Sequence, residues 1–274
     1  NPGHEFGYRP FPDEQMAALL PLLSDMVQRH DIPRANVVGH SDIAPARKED
    51  WLFATELKKS YEVMPVEPEA EAIPDDVDAL VVVHPKNLSE RTLFALDQFV
   101  LKGGRLLAFE DPMALVGEAE IEEAFGRPQL SSDLNRLTKA WGVEMSPAQV
   151  VVDLAAATPI NIGEGRAERL PAWLSLRGGE NLDRDEIATG SLETLMLPFA
   201  GAFVGTPAEG LEMKTLVQAS GDAATLTAFM ARNPMGANPR DGQPAPNAAL
   251  AVRLAGKFKT AFPDGQPKIE GATN

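Results

Sequence analysis

The sequence predicts an α/β fold: a mostly parallel open sheet flanked by helices, with a loop-rich C-terminal half. Three observations carry this expectation. Residues 78–84 (Asp-Ala-Leu-Val-Val-Val-His) form a continuous apolar run, as expected of a strand buried on both faces. Leu93, Phe94, Leu96, Phe99 and Val100 then repeat at helical spacing and end at Gly103-Gly104. Arg105 to Phe109 is a second apolar run. Strand, helix and strand in about 30 residues make a βαβ unit, whose two strands run parallel.

The remaining elements follow in order. Between Asp13 and His30, the apolar residues Met16, Leu19, Leu20, Leu23, Met26 and Val27 predict one amphipathic helix. Val37-Val38 predicts a short buried strand that delivers Gly39-His40 to its end. Trp51 to Ser60 reads as a helix and Tyr61 to Val66 as a strand. Glu67 to Asp76, acidic and holding two prolines, reads as a loop. Ser89 is placed to cap the helix that follows. Ser131 to Trp141 predicts another amphipathic helix, and Gln149 to Asp153 another strand. The stretch from Ala155 to Asp185 is rich in Gly, Arg and acids and shows little periodicity. Ser191 to Val204 reads as a helix passing into a strand or loop. Leu216–Ala219 and Ala248–Leu254 read as strands, with a turn-rich loop from Asn233 to Asn247 between them. The tail from Pro263 is expected to fray.

Composition excludes several functions. The net charge is −15, which argues against nucleic acid, since phosphate binding needs clustered Lys and Arg. The chain has no cysteine, so disulfides and thiolate metal sites are ruled out and any zinc must be held by His and carboxylate. No apolar run reaches the roughly 18 residues a membrane span needs. No Ser-His-Asp set and no Gly-x-Ser-x-Gly turn is apparent. Gly103-Gly104 ends a helix before a strand, whereas a phosphate loop follows a strand and opens a helix.

Two places carry candidate chemistry. His40 and Asp50 are suitable zinc ligands, and Lys48 lies between them in sequence, where it would stabilise an oxyanion. Glu110-Asp111 end a central parallel strand, where open α/β sheets bind ligands. Asp111 also reads as a turn cap before Pro112. Trp141, Trp173 and the phenylalanines read as core.

Residues 1–12 (Asn-Pro-Gly-His-Glu-Phe-Gly-Tyr-Arg-Pro-Phe-Pro), with Asn36 to Pro45 and Arg47-Lys48-Glu49-Asp50, resemble the C-terminal half of zinc-dependent N-acetylmuramoyl-L-alanine amidases. The resemblance implies that His40 and Asp50 ligate zinc and that Lys48 polarises the scissile amide. In that family another histidine ligand and a catalytic glutamate precede the Asn-Pro-Gly motif. The quoted residues therefore supply two ligands and no general base, and hydrolysis is not expected of them.

Residues 51–267 resemble a second family, the auxiliary, substrate-binding-like component of an uncharacterised ABC transport system, related to the GldG protein of gliding motility. The matching strings are Ile73 to Pro85, Leu96 to Pro112, Trp141-Gly142-Val143 and Leu254 to Gly265. This resemblance implies a non-enzymatic, extracytoplasmic (periplasmic) binding domain. It would be tethered to the inner membrane by segments absent from this chain. Its partners would be the permease and ATPase subunits, with a homo-oligomer possible and no cofactor expected. The expected organisation is thus an amidase-like segment at 1–50, the transport-associated domain at 51–267 and a tail at 268–274. Any enzymatic activity would be the zinc amidase of the first segment.

Overall fold

The computed structural model describes residues 37–40, 52–114, 131–161, 167–232 and 237–268. The N-terminal part is the βαβ unit that the apolar runs predict. Strand β1 (Val37–His40), helix α1 (Leu52–Lys58), strand β2 (Ala79–Val83), helix α2 (Glu90–Leu101) and strand β3 (Arg105–Phe109) follow in order. β1, β2 and β3 form a parallel sheet in that spatial order. Ser89 caps α2, its hydroxyl accepting the Thr92 N–H at 3.0 Å. At the other end, Gly103 takes a left-handed φ of 97°. Its N–H donates to Val100 O and the Gly104 N–H donates to Phe99 O, both at 3.0 Å. This pair of bonds closes the helix and turns the chain into β3.

Beyond β3 the expected architecture fails. The predicted mostly parallel sheet flanked by helices is corrected to a fold of mostly antiparallel sheets with few helices. Helix α3 (Asn135–Thr138) and strands β4 (Val143–Met145), β5 (Gln149–Val152), β6 (Ala157–Asn161) and β7 (Ala167–Arg177) come first. Helix α4 (Ile187–Gly190), β8 (Thr194–Pro198), β9 (Phe203–Gly205) and β10 (Leu211–Gln218) follow. β11 (Ala224–Thr227), helix α5 (Ala228–Ala231), β12 (Gln243–Pro244) and β13 (Ala249–Gly256) complete the order. Among the described residues these strands make three sheets, ordered β10-β13-β9-β4, β12-β11-β5 and β6-β7-β8. Every pairing in them is antiparallel.

The physical reason is visible in β7. From Ala172 onward, Ala172, Leu174 and Leu176 are buried and alternate with Trp173, Ser175 and Arg177, which are half-buried or exposed. That is the period of two of a strand with one buried face, and antiparallel neighbours need no crossover helix. The loop-rich C-terminal half is therefore strand-rich. Three smaller expectations also change. The helix expected from Ser191 is strand β8, and Tyr61–Val66 is irregular. The helix expected over Ser131–Trp141 shortens to one turn at α3. The helix expected over Asp13–His30 lies outside the described residues.

One apolar core joins the two halves. It packs Leu80, Val82, Leu96, Phe99, Leu137 and Trp141 with Leu211 and Phe262 from the far end of the chain. Trp141 and Phe258 meet edge to face at 5.2 Å, as do Phe94 and Phe262 at 5.4 Å. A second core lies under β7, β10 and β13, and a third holds Met113, Val150, Phe199 and Leu226.

Candidate functional site

A parallel sheet brings the ends of all its strands to one edge. Here His40 pairs with Val82, and Val83 with Phe109. His84 and Glu110 therefore emerge side by side, with the end of β1 next to them. His84 has a left-handed φ of 49°, a conformation that costs energy in a non-glycine residue. Its N–H donates to Phe109 O at 2.9 Å. Its imidazole Nδ1 lies 2.7 Å from Ser132 Oγ.

Residues 132–134 lie across this edge. The Ser132 N–H donates to Asp111 O at 2.7 Å, and Ser132 Oγ accepts the Asp111 N–H at 2.9 Å. The Asp133 N–H donates to Pro85 O at 2.8 Å. The Leu134 N–H donates to Glu110 Oε2 at 3.1 Å. Ser132 and Leu134 are buried.

The two carboxyls are poised to titrate. Burial pushes Glu110 up to about 7; the Leu134 N–H opposes this, and the charges of Asp133 and Asp111 add to it. Burial pushes Asp111 up to about 6. Two half-buried acids in this state accept cations or donors when ionised, and exchange protons near neutrality. The Ser132–His84 pair has the geometry of an activated hydroxyl. Ser132 is 0% exposed and its oxygen already accepts the Asp111 N–H, so no substrate carbonyl reaches it. Its role is to position the crossing segment.

The expected ligand residues Glu110 and Asp111 thus lie together at the carboxyl edge. His84, Ser132 and Asp133 join them, and sequence reasoning missed all three as site members. The signals were present: a histidine between a strand and a proline, and a Ser-Asp pair ahead of a helix. Of the expected zinc residues, His40 is placed by its backbone at the end of β1, while Lys48 and Asp50 lie outside the described residues. Among the described residues, no group of three or more His, Cys, Asp or Glu side chains is arranged to hold a metal ion. The described residues do not make a zinc centre.

Other buried acids are structural. Asp153 accepts the Ser220 N–H and hydroxyl at 2.8 and 2.9 Å and the Ala155 N–H at 2.8 Å. Glu186 is buried, which alone would raise it, but hydrogen bonds from Lys214 and Arg253 hold it below its usual value. A cavity of about 450 Å³ lies at the opposite edge of the sheet, between Ile73–Asp78 and α2. The perturbed carboxyls are not part of it.

Comparison with known proteins finds both of the families that the sequence resembles. The N-acetylmuramoyl-L-alanine amidase family matches residues 1–52. AmiD, an N-acetylmuramoyl-L-alanine amidase of Escherichia coli (strain K12), is 49% identical over 43 residues. That match spans 16% of this chain and 16% of AmiD. No solved structure matches the chain. The ABC-type uncharacterized transport system family matches residues 35–274 and overlaps the amidase match across β1. That match takes in the carboxyl edge, both buried-acid clusters and all three cores, and the chain belongs to the ABC-type uncharacterized transport system family.

Proposed function

We propose that this chain is a non-enzymatic, extracytoplasmic binding module of an ABC transport system, working beside permease and ATPase subunits. The family match over residues 35–274 carries the reading. Glu110 and Asp111 are its proposed ligand residues, because a sheet's carboxyl edge is where open α/β units place ligands. The working division is residues 1–50, 51–267 and a tail at 268–274. Among the described residues no helix is long and apolar enough to cross a membrane, so attachment would run through a partner or another segment. The test is affinity capture from detergent-solubilised membranes with the full-length relative as bait. Co-purification of a permease and an ATPase supports the reading, and recovery of neither overturns it. A second experiment asks whether residues 51–267 fold without the first fifty.

The identity to AmiD favours one alternative, a zinc-dependent N-acetylmuramoyl-L-alanine amidase acting on peptidoglycan. Under it His40 and Asp50 would ligate zinc and Lys48 would stabilise the oxyanion. Metal analysis of the purified chain with a peptidoglycan-release assay separates the two. One tightly bound zinc per chain together with release of peptide favours the amidase. A metal-free, inert protein removes it.

A further inference from the structure

We propose that residues 37–40 act as a donor strand: a stretch of the amidase-like segment that closes an edge of the transport-family sheet, so that the folding unit begins before residue 37 rather than at residue 51. A failed capture of permease and ATPase would leave this proposal standing.

Successive residues of β2 send their backbone groups alternately to its two neighbouring strands. Asp78 O accepts the Arg105 N–H at 3.2 Å, and the His84 N–H donates to Phe109 O at 2.9 Å. By that alternation Leu80 and Val82 also bond to β3. Ala79, Val81 and Val83 are left facing β1, whose register sets Val38 against Leu80 and His40 against Val82. Val38 and His40 are thus the residues of β1 that bond to β2. Without β1, Ala79, Val81 and Val83 would hold unpaired backbone groups along an apolar strand, an edge that invites pairing with any extended chain. Among the described residues, β1 is the strand that fills this edge. The residues that fill it lie inside both family matches, at 1–52 and at 35–274. A backbone N–H serves one neighbour at a time, so what Val38 and His40 give to β2 they withhold from any other strand. Removing the first fifty residues would therefore strip a strand from the transport-family unit and not merely a neighbouring segment.

Amide hydrogen exchange of the intact chain tests this, read at Leu80, Val81, Val82 and Val83 after correction for intrinsic exchange. In the wild type, Val81 and Val83 should be protected to within about tenfold of Leu80 and Val82. Val38→Pro removes the N–H that β1 turns toward β2 and should speed exchange at Val81 and Val83 by roughly tenfold or more. If Leu80 and Val82 open along with them, β1 is integral to the unit and the proposal holds equally. A wild type in which Val81 and Val83 exchange freely while Leu80 and Val82 stay protected overturns it. So does a V38P chain whose β2 amides exchange as slowly as in the wild type.

Discussion

Asp97 and Glu110 are both carboxyl groups set against backbone N–H groups, and the fold treats them differently. On the back of α2, Asp97 is 0% exposed and both its oxygens are used. Oδ1 accepts the Ala261 N–H at 2.8 Å. Oδ2 accepts the Thr260 hydroxyl at 2.6 Å and the Gln98 amide at 3.1 Å. At the carboxyl edge of the sheet, Glu110 has one backbone donor and two acidic neighbours. Three donors make Asp97 a clamp, whereas Glu110, with one donor and a carboxyl raised by burial, is left to titrate near neutrality.

The largest effect should come from breaking the clamp. Asp97→Ala strands the Thr260 hydroxyl and the Ala261 N–H in a buried site and should cost about 2–4 kcal/mol in denaturant unfolding. If Glu110→Ala costs as much, the contrast between the two sites is lost.

The second prediction is a pH dependence. Glu110 and Asp111 bind protons more tightly folded than unfolded, so stability is highest when they are protonated and falls as pH rises. Between pH 4.5 and about 7, Glu110 alone should lower stability by up to about 3 kcal/mol, less if its seat opens to water. Thermal melts across that window should show the decline, and Glu110→Gln should flatten it. A wild-type melt that rises through the window contradicts the raised Glu110 carboxyl.

Gly104→Ala sharpens the comparison from the clamp's side. A Cβ there would lie 2.5 Å from the ring of Phe99, on the helix that carries Asp97. The cost should be about 1–3 kcal/mol, seen as a lowered denaturation midpoint with the pH profile unchanged. The smallest effect should come from Lys259→Ala. Its 3.0 Å pair with Glu209 is fully exposed and should leave the denaturation midpoint almost unchanged.

The βαβ unit was legible because its signals are local. Val81 and Val82 in an apolar run, Ser89 ahead of α2 and Gly103-Gly104 behind it each act within a few residues. The antiparallel half was not legible for matching reasons. β6 and β7 contain Pro159 and Pro171, which argue against strands when read locally. Their pairing, Thr158 with Leu170 and Leu174 with Leu197, depends on neighbours chosen by the whole fold. The site divided along the same line. Glu110-Asp111 were found because they end a readable strand, while Ser132 was missed because only tertiary packing carries it 21 residues back to Asp111.

The Asp97 clamp also sets an order of events during synthesis. Its donor Ala261 lies 164 residues downstream. At ribosomal speeds of about 5–20 residues per second, α2 leaves the tunnel roughly 8–30 s before its clamp exists. Through that interval Phe94, Leu96 and Phe99 lack Phe262, their late-arriving cover. A chain halted before residue 260 would thus present the apolar face of α2 with neither its clamp nor its cover.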